Sequence, residues 1–270
     1  MAMTETLPPP GSLPAPPVAP GAIPTRDPRR FARPRRRWLT AVKALNRLMR
    51  DKEDTGQVFE IMGALNGPTT ARNFERLMAT PGGGRLAYEH VELAPKLMDA
   101  AWLDAFAPGT VGAVYREFVR SEQLSADGLA AISRERRGTA VDDPHPYAWF
   151  GRRIRDSHDI WHVLSGYHRD GLGEACLVAF SYGQTGSLGW AVIAAGAALR
   201  ARKRGGRPYA RAILQGYRRG KAAGWLPGED YVALMAEPLE AARRRLGITP
   251  ASLYDAIPPE ARNFAIPDVN

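Results

Sequence analysis

A single cysteine, Cys176, stands among 270 residues. That excludes an intrachain disulfide framework and a multi-cysteine zinc ribbon, and it fits a reducing compartment. Long hydrophobic runs are missing too. The longest is Leu188–Leu199, twelve residues counting its glycines, whereas a spanning helix needs about 18–20. The N-terminus opens on prolines and an acid rather than a basic region followed by an apolar core. No secretory leader and no membrane-crossing segment is expected. Alternating strand patterns and 20–50-residue repeats are also absent, so β-sandwich, barrel and solenoid architectures have no support.

Acidic residues are scarce in two places. Lys+Arg 37 against Asp+Glu 28 gives a net +9. Residues 26–50 hold ten basic side chains against Asp27 alone, and residues 1–25 contribute only Glu5. Residues 51–270 therefore net only +1. From Ala175 to Gly228 no acid occurs, while nine arginines and lysines do. Basic runs of this kind suit an anionic membrane surface, or else a solvated arm or face with no partner. Nucleic acid is not expected, because no recognition motif accompanies the charge. Trp38–Met49 interleaves apolar residues with Lys43 and Arg47, the pattern of a short interfacial helix or of an ordinary surface helix.

What is present is helical periodicity. Residues 1–34 carry ten of the 23 prolines and are read as a disordered or polyproline tail. Short helices are expected over Trp38–Met49, Thr55–Leu65, Ala71–Met78, Leu97–Phe106, Val111–Val119 and Ser125–Ile132. The Pro81–Gly84 run is expected to break the chain. A longer helix is expected over Tyr147–Leu164, ending at Gly166. Others follow over Gly173–Tyr182, Leu188–Lys203 and Ala210–Ala223, and one opens at Pro238 and stops before Gly247. The expectation is one all-α domain over 38–258, between a Pro-rich basic tail (1–37) and a C-terminal tail (259–270).

The chemistry is concentrated in Arg153-Ile-Arg155-Asp156-Ser-His158-Asp159-Ile-Trp-His162, followed by Glu174. His158 and His162 are i and i+4, so a helix puts both imidazoles on one face, one turn apart. Such a pair can grip one metal ion. Asp159 lies about 100° round the helix, placed to be a further ligand or to orient an imidazole. Glu174 follows His162 by twelve residues that include Gly166, Gly171 and Gly173. If the two helices form an antiparallel hairpin, Glu174 returns at the depth of His162. The donor set His158, Asp159, His162 and Glu174 suits zinc and equally iron(II) or manganese. The same residue types also occur as hydrogen-bonded or solvated histidines, and an H-x-x-x-H pair alone is a weak signal. His90 and His145 are read as structural, and His168 falls in the presumed turn. Arg155, at i−3 to His158, is the candidate to hold a carboxylate by its guanidinium fork, while Arg153 is expected to point elsewhere, and a surface or ion-pair role is the alternative for both. Trp149, Trp161, Trp190 and Trp225 are read as core or interface residues.

His158-Asp159-x-x-His162-x11-Glu174 resembles the metal motif of the coenzyme Q biosynthesis protein 4 family. The likeness extends to Phe106–Tyr115, to Arg153–Asp156 and to Ala222–Ile248, and covers about residues 38–250. Ile154 stands where a tyrosine is usual, Asp156 for a glutamate, and Trp161 for a phenylalanine or tyrosine. The resemblance implies an all-α, peripheral membrane protein of ubiquinone biosynthesis, at the cytoplasmic face of the inner membrane. It implies metal-dependent oxidative C1 decarboxylation of a polyprenylated 4-hydroxybenzoate-type precursor. His158, Asp159, His162 and Glu174 would be the metal ligands, with other enzymes of the pathway as partners and a homodimer left open. Within that chemistry His158, Asp159 and Arg155 are the expected catalytic residues. Two alternatives stand beside it. One is a non-catalytic prenyl-lipid-binding scaffold with a structural metal, which a closed four-ligand site would favour. The other is a metal-dependent phosphohydrolase, which would need further ligands from distant helices. The Ala/Gly-rich Leu188–Leu199 could admit a prenyl chain or pack closely on another helix.

Overall fold

The computed structural model describes residues 36–50, 55–121 and 145–263. Most of the expected Pro-rich tail and the helix expected at Ser125–Ile132 lie outside the described residues. The fold is all-α. Among the described residues there is no strand, only an isolated bridge between Thr110 and Pro238.

Helices α1 (Trp38–Arg50) and α2 (Thr55–Leu65) form the first layer. Ala41, Ala44 and Leu48 of α1 recur at helical spacing and are buried. Two short helices follow, α3 (Thr69–Met78) and α4 (Gly83–Glu89). Here the Pro81–Gly84 run does not simply break the chain but begins a helix. A side chain at Gly83 would land on the Leu77 carbonyl, so only glycine lets α4 start that close to α3. The single helix expected over Leu97–Phe106 is instead two, α5 (Leu93–Met98) and α6 (Ala100–Asp104). Asp99 between them is extended, and its carboxylate accepts the Trp102 N–H at 3.1 Å, an N-cap that competes with helix continuation. Helix α7 (Val111–Ser121) starts where Val111 and Gly112 donate to the carbonyls of Glu237 and Met235.

The second half comprises α8 (Pro146–Asp156), α9 (His158–Ser165), α10 (Gly171–Thr185), α11 (Leu188–Gly205) and α12 (Arg207–Ala222). Short helices α13 (Tyr231–Leu234), α14 (Leu239–Arg245) and α15 (Ser252–Asp255) close the chain. Helix α10 is apolar nearly all round and lies in the centre, with Leu172, Cys176, Leu177 and Phe180 fully buried. Helix α12 lies against it because Gly216 and Gly220 face the carbonyls of Cys176 and Phe180 with no room for a Cβ. In α11, Gly189 and Gly196 face Met62 and Leu45. The small residues of Leu188–Leu199 thus serve close helix packing.

Residues 259–263, expected in a C-terminal tail, contain a 3-10 turn (Pro259–Ala261) and the buried Arg262. The Arg262 carbonyl accepts from Leu172 N at 3.0 Å, at the start of α10. No helix of the described residues is long and apolar enough to cross a membrane.

Candidate metal centre

The expected continuous helix over Tyr147–Leu164 is interrupted at Ser157. Its hydroxyl donates to the Ile154 carbonyl at 3.1 Å, the local side-chain bond that competes with the helical ladder. The break starts α9 at His158. His162 follows one turn later on the same face, as the spacing required. Donor atoms of His158, Asp159 and His162 all lie within 4.8 Å of one another.

The α9–α10 reversal is built by glycines and a cap. Gly166 adopts the left-handed conformation that closes α9 (φ 77°), and its N–H reaches the His162 carbonyl. Asp170 caps α10, accepting from Gly173 N at 2.8 Å. Gly173 lies so close to the His168 carbonyl that no Cβ fits. Glu174 therefore returns to the histidines, with Oε1 at 3.4 Å from His162 Nε2 and Oε2 at 3.6 Å from His158 Nε2. Arg169 Nε also approaches Glu174 Oε1, at 3.4 Å.

Burial divides these residues. The His162 side chain is fully buried, while those of His158 and Glu174 are 24 % and 35 % exposed. The centre is thus closed on the His162 side and open on the other. Burial acts first on Glu174 and would raise its pKa. The adjacent imidazoles of His162 and His158 overcome this and hold the carboxyl well below its usual range. Burial would lower the His162 pKa, but the Glu174 carboxylate raises it overall.

One observation tests whether these residues fit a metal. His162 Nδ1 lies 2.9 Å from the Tyr167 carbonyl oxygen. A carbonyl only accepts, so Nδ1 carries a proton, and in the neutral imidazole Nε2 is the nitrogen that keeps the lone pair. That buried Nε2 has no hydrogen-bond partner of good geometry. An oriented imidazole with one nitrogen tied to a carbonyl and the other unpartnered is the arrangement of a metal-ligating histidine. The nitrogen and carboxylate donors suit zinc, iron(II) or manganese.

Two aromatic rings hold the imidazoles. Phe118 of α7 stacks on His162 with centroids 5.4 Å apart, and Trp190 of α11 lies over His158 at 6.3 Å. Trp190 thus packs beside the site, although its sequence context marks only a core aromatic. Tyr115, one turn before Phe118, is buried, and burial together with the nearby Asp159 and Asp156 carboxylates raises its pKa.

Arg155 belongs to α8, one helix earlier than its continuous-helix reading places it. Its Nε donates to Asp156 Oδ1 at 2.6 Å. Arg153 is turned away as expected, donating to Pro227 O and Glu229 O over the Tyr231 ring. His90 stacks on Trp149, His145 caps α8, and His168 lies in the reversal, so none joins the cluster. Phe118, Trp190, Arg169 and the Tyr167 carbonyl escaped the sequence reading. Apart from the left-handed glycine at 166, no local signal marks them.

Comparison with known proteins bears on this centre. Residues 32–252 match the family model of the coenzyme Q (ubiquinone) biosynthesis protein Coq4. The ubiquinone biosynthesis protein COQ4, mitochondrial, of Yarrowia lipolytica is 32 % identical over 112 residues, which are 42 % of this chain and 40 % of that protein. The COQ4 homolog, mitochondrial, of Danio rerio is 25 % identical over 127 residues, 47 % of this chain and 44 % of that one. The chain thus matches less than half the length of these curated relatives. A crystal structure from Nostoc punctiforme superposes with a TM-score of 0.57 at 22 % identity, over 79 % of this chain and 99 % of that one. That likeness shows the fold.

Proposed function

The chain belongs to the coenzyme Q (ubiquinone) biosynthesis protein Coq4 family, and on that premise we propose that it acts in ubiquinone biosynthesis as a metal-dependent enzyme. Its reaction is the oxidative C1 decarboxylation of a polyprenylated 4-hydroxybenzoate-type precursor. The observation that carries this reading is the buried, unpartnered Nε2 of His162 beside His158, Asp159 and Glu174.

His158, Asp159, His162 and Glu174 would hold the ion, zinc first, with iron(II) and manganese compatible with the same donors. Bound there, it supplies electrophilic stabilisation of the charge that develops on a carboxylate or phenolate oxygen. The exposed edge formed by His158 and Glu174 is where a head group enters. Arg155, oriented through its Nε by Asp156, offers its guanidinium to the substrate carboxylate.

The overall change breaks the C1–carboxyl bond and forms a C1–oxygen bond. With water as the oxygen source, ArCOOH + H2O gives ArOH + CO2 + 2 H+ + 2 e−. The two electrons pass to dioxygen or another acceptor.

The prenylated substrate partitions into lipid, so the enzyme works at an anionic membrane surface as a peripheral protein, on the cytoplasmic face of the inner membrane. Trp38, Leu39 and Val42 on α1 support this, exposed beside Arg36, Arg37 and Lys43. Other ubiquinone-biosynthesis enzymes are the proposed partners, and homodimerisation is compatible with the same reading.

The test uses a carboxyl-labelled prenylated hydroxybenzoate in vesicles with metal-loaded protein. Labelled CO2 together with the hydroxylated ring is expected from the wild type and is lost in His162→Gln. Release by both proteins, or by neither, overturns the reading.

A further inference from the structure

Helix α9 has eight residues and carries three of the four candidate ligands. A helix leaves its last four carbonyls without intrahelical partners, and here that end is buried. Every one of the four is occupied. The His162 carbonyl accepts from Gly166 N at 2.9 Å. The Val163 and Leu164 carbonyls accept from one guanidinium, Arg243 Nη2 at 2.9 Å and Nε at 3.0 Å. The Ser165 carbonyl accepts from Arg219 Nη2 at 2.8 Å.

The two arginines come from α12 and α14, more than 50 residues further along the chain. Arg219 also donates to the Thr249 carbonyl, through Nε at 2.9 Å. Its guanidinium lies 4.8 Å from the centre of the Tyr167 ring. Tyr167 is the residue whose carbonyl fixes the His162 tautomer. Arg243 fastens its remaining arm to Glu240 at 2.7 Å.

We infer that Arg219 and Arg243 are positioning residues of the metal centre: they fix the C-terminal end of α9 and the Tyr167 turn, and so aim His162 Nε2 at the ion. This rests on the metal reading above. The chemistry suits arginine specifically. A planar fork spans two successive carbonyls, which a lysine ammonium, a single point of charge, does not. Positive charge also belongs at a helix C-terminus. Outer groups that orient a ligand act on metal affinity without touching the ion.

Arg243 is the position to test, because its side chain is 27 % exposed whereas Arg219 is buried. Metal-stripped full-length protein would be titrated calorimetrically with Zn(II) and with Mn(II), and its Co(II) form read by visible absorption. Variants are Arg243→Met, Arg243→Lys, and Arg244→Met as the exposed neighbour. Circular dichroism checks that each is folded.

Arg243→Met is expected to weaken metal binding about 10–100-fold and to shift the Co(II) bands. Arg243→Lys falls between it and the wild type, and Arg244→Met binds as the wild type does. Should Arg243→Met not fold, Arg243→Lys carries the test alone. Wild-type affinity and spectrum in a folded Arg243 variant overturn the positioning role and leave the metal centre standing. A wild type that binds none of the three ions overturns both.

Discussion

His162 Nδ1 lies 2.9 Å from the carbonyl oxygen of Tyr167, five residues on and beyond the left-handed turn at Gly166. That bond selects the tautomer of the neutral ring. In the neutral ring Nε2 is the lone-pair donor, in a fully buried position, pressed by Phe118 and facing Glu174. The turn that ends the helix therefore also orients the candidate ligand.

Replacing that ligand should abolish the site while sparing much of the fold. His162→Gln removes the imidazole nitrogen and is expected to weaken zinc binding by more than about 100-fold, beyond the loss typical of an outer-shell change. Equilibrium dialysis against a metal buffer reads the difference. Equal zinc content in the two proteins would place the metal elsewhere.

The return of Glu174 depends on the start of α10. Asp170 accepts from Gly173 N with one oxygen and from the Tyr254 hydroxyl with the other. Asp170→Ala removes the cap and is expected to cost about 1 kcal/mol in urea unfolding. It should also lower metal affinity, because Glu174 is held in the first turn that Asp170 caps. A normal unfolding midpoint with normal metal binding would contradict both expectations.

Much of this was legible in residues alone. The i, i+4 pair required His158 and His162 to share a face, and the glycines after it required a reversal that brings Glu174 back. The all-α class followed from periodicity, and α2 falls at the expected Thr55–Leu65. What was not legible was decided by single side-chain bonds or by packing. Ser157 and Asp99 each bond the backbone beside them and split a helix that periodicity joins. The first split puts Arg155 on α8, bonded to Asp156. Arg219, Arg243 and Trp190 reach α9 only through tertiary contacts, for which a linear spacing offers no sign.

The central helix pair should tolerate no added methyl group. Gly220 of α12 faces the Phe180 carbonyl with no space for a Cβ. Gly220→Ala forces α12 away from α10 and is expected to destabilise the protein by about 1–3 kcal/mol. Gly63→Ala, where nothing lies within 4 Å, is the control and should not destabilise it. Thermal unfolding of the two variants compares them directly.

Acid stability has one assignable contributor away from the metal centre. Burial would raise the Asp230 pKa, but the hydrogen bond from Arg85, 2.6 Å away, and the backbone N–H groups it caps lower it overall. A carboxyl whose folded pKa lies below its unfolded one stabilises the fold above the unfolded value. That stability is lost as pH falls through the folded value. Asp230→Asn keeps a capping side chain but removes the charge. It should be slightly less stable than the wild type at neutral pH, because solvent screens the exposed Arg85. The two should converge at low pH. A constant gap across the acid range would assign the effect to the cap.

The most direct test is complementation of a ubiquinone-deficient host that lacks its C1 decarboxylation and hydroxylation steps. Wild type and His158→Ala would be expressed side by side, confirmed folded, and quinone quantified by mass spectrometry. Restored quinone with the wild type and none with His158→Ala is the predicted result. Quinone restored equally by both, or by neither, would contradict a metal-dependent decarboxylase.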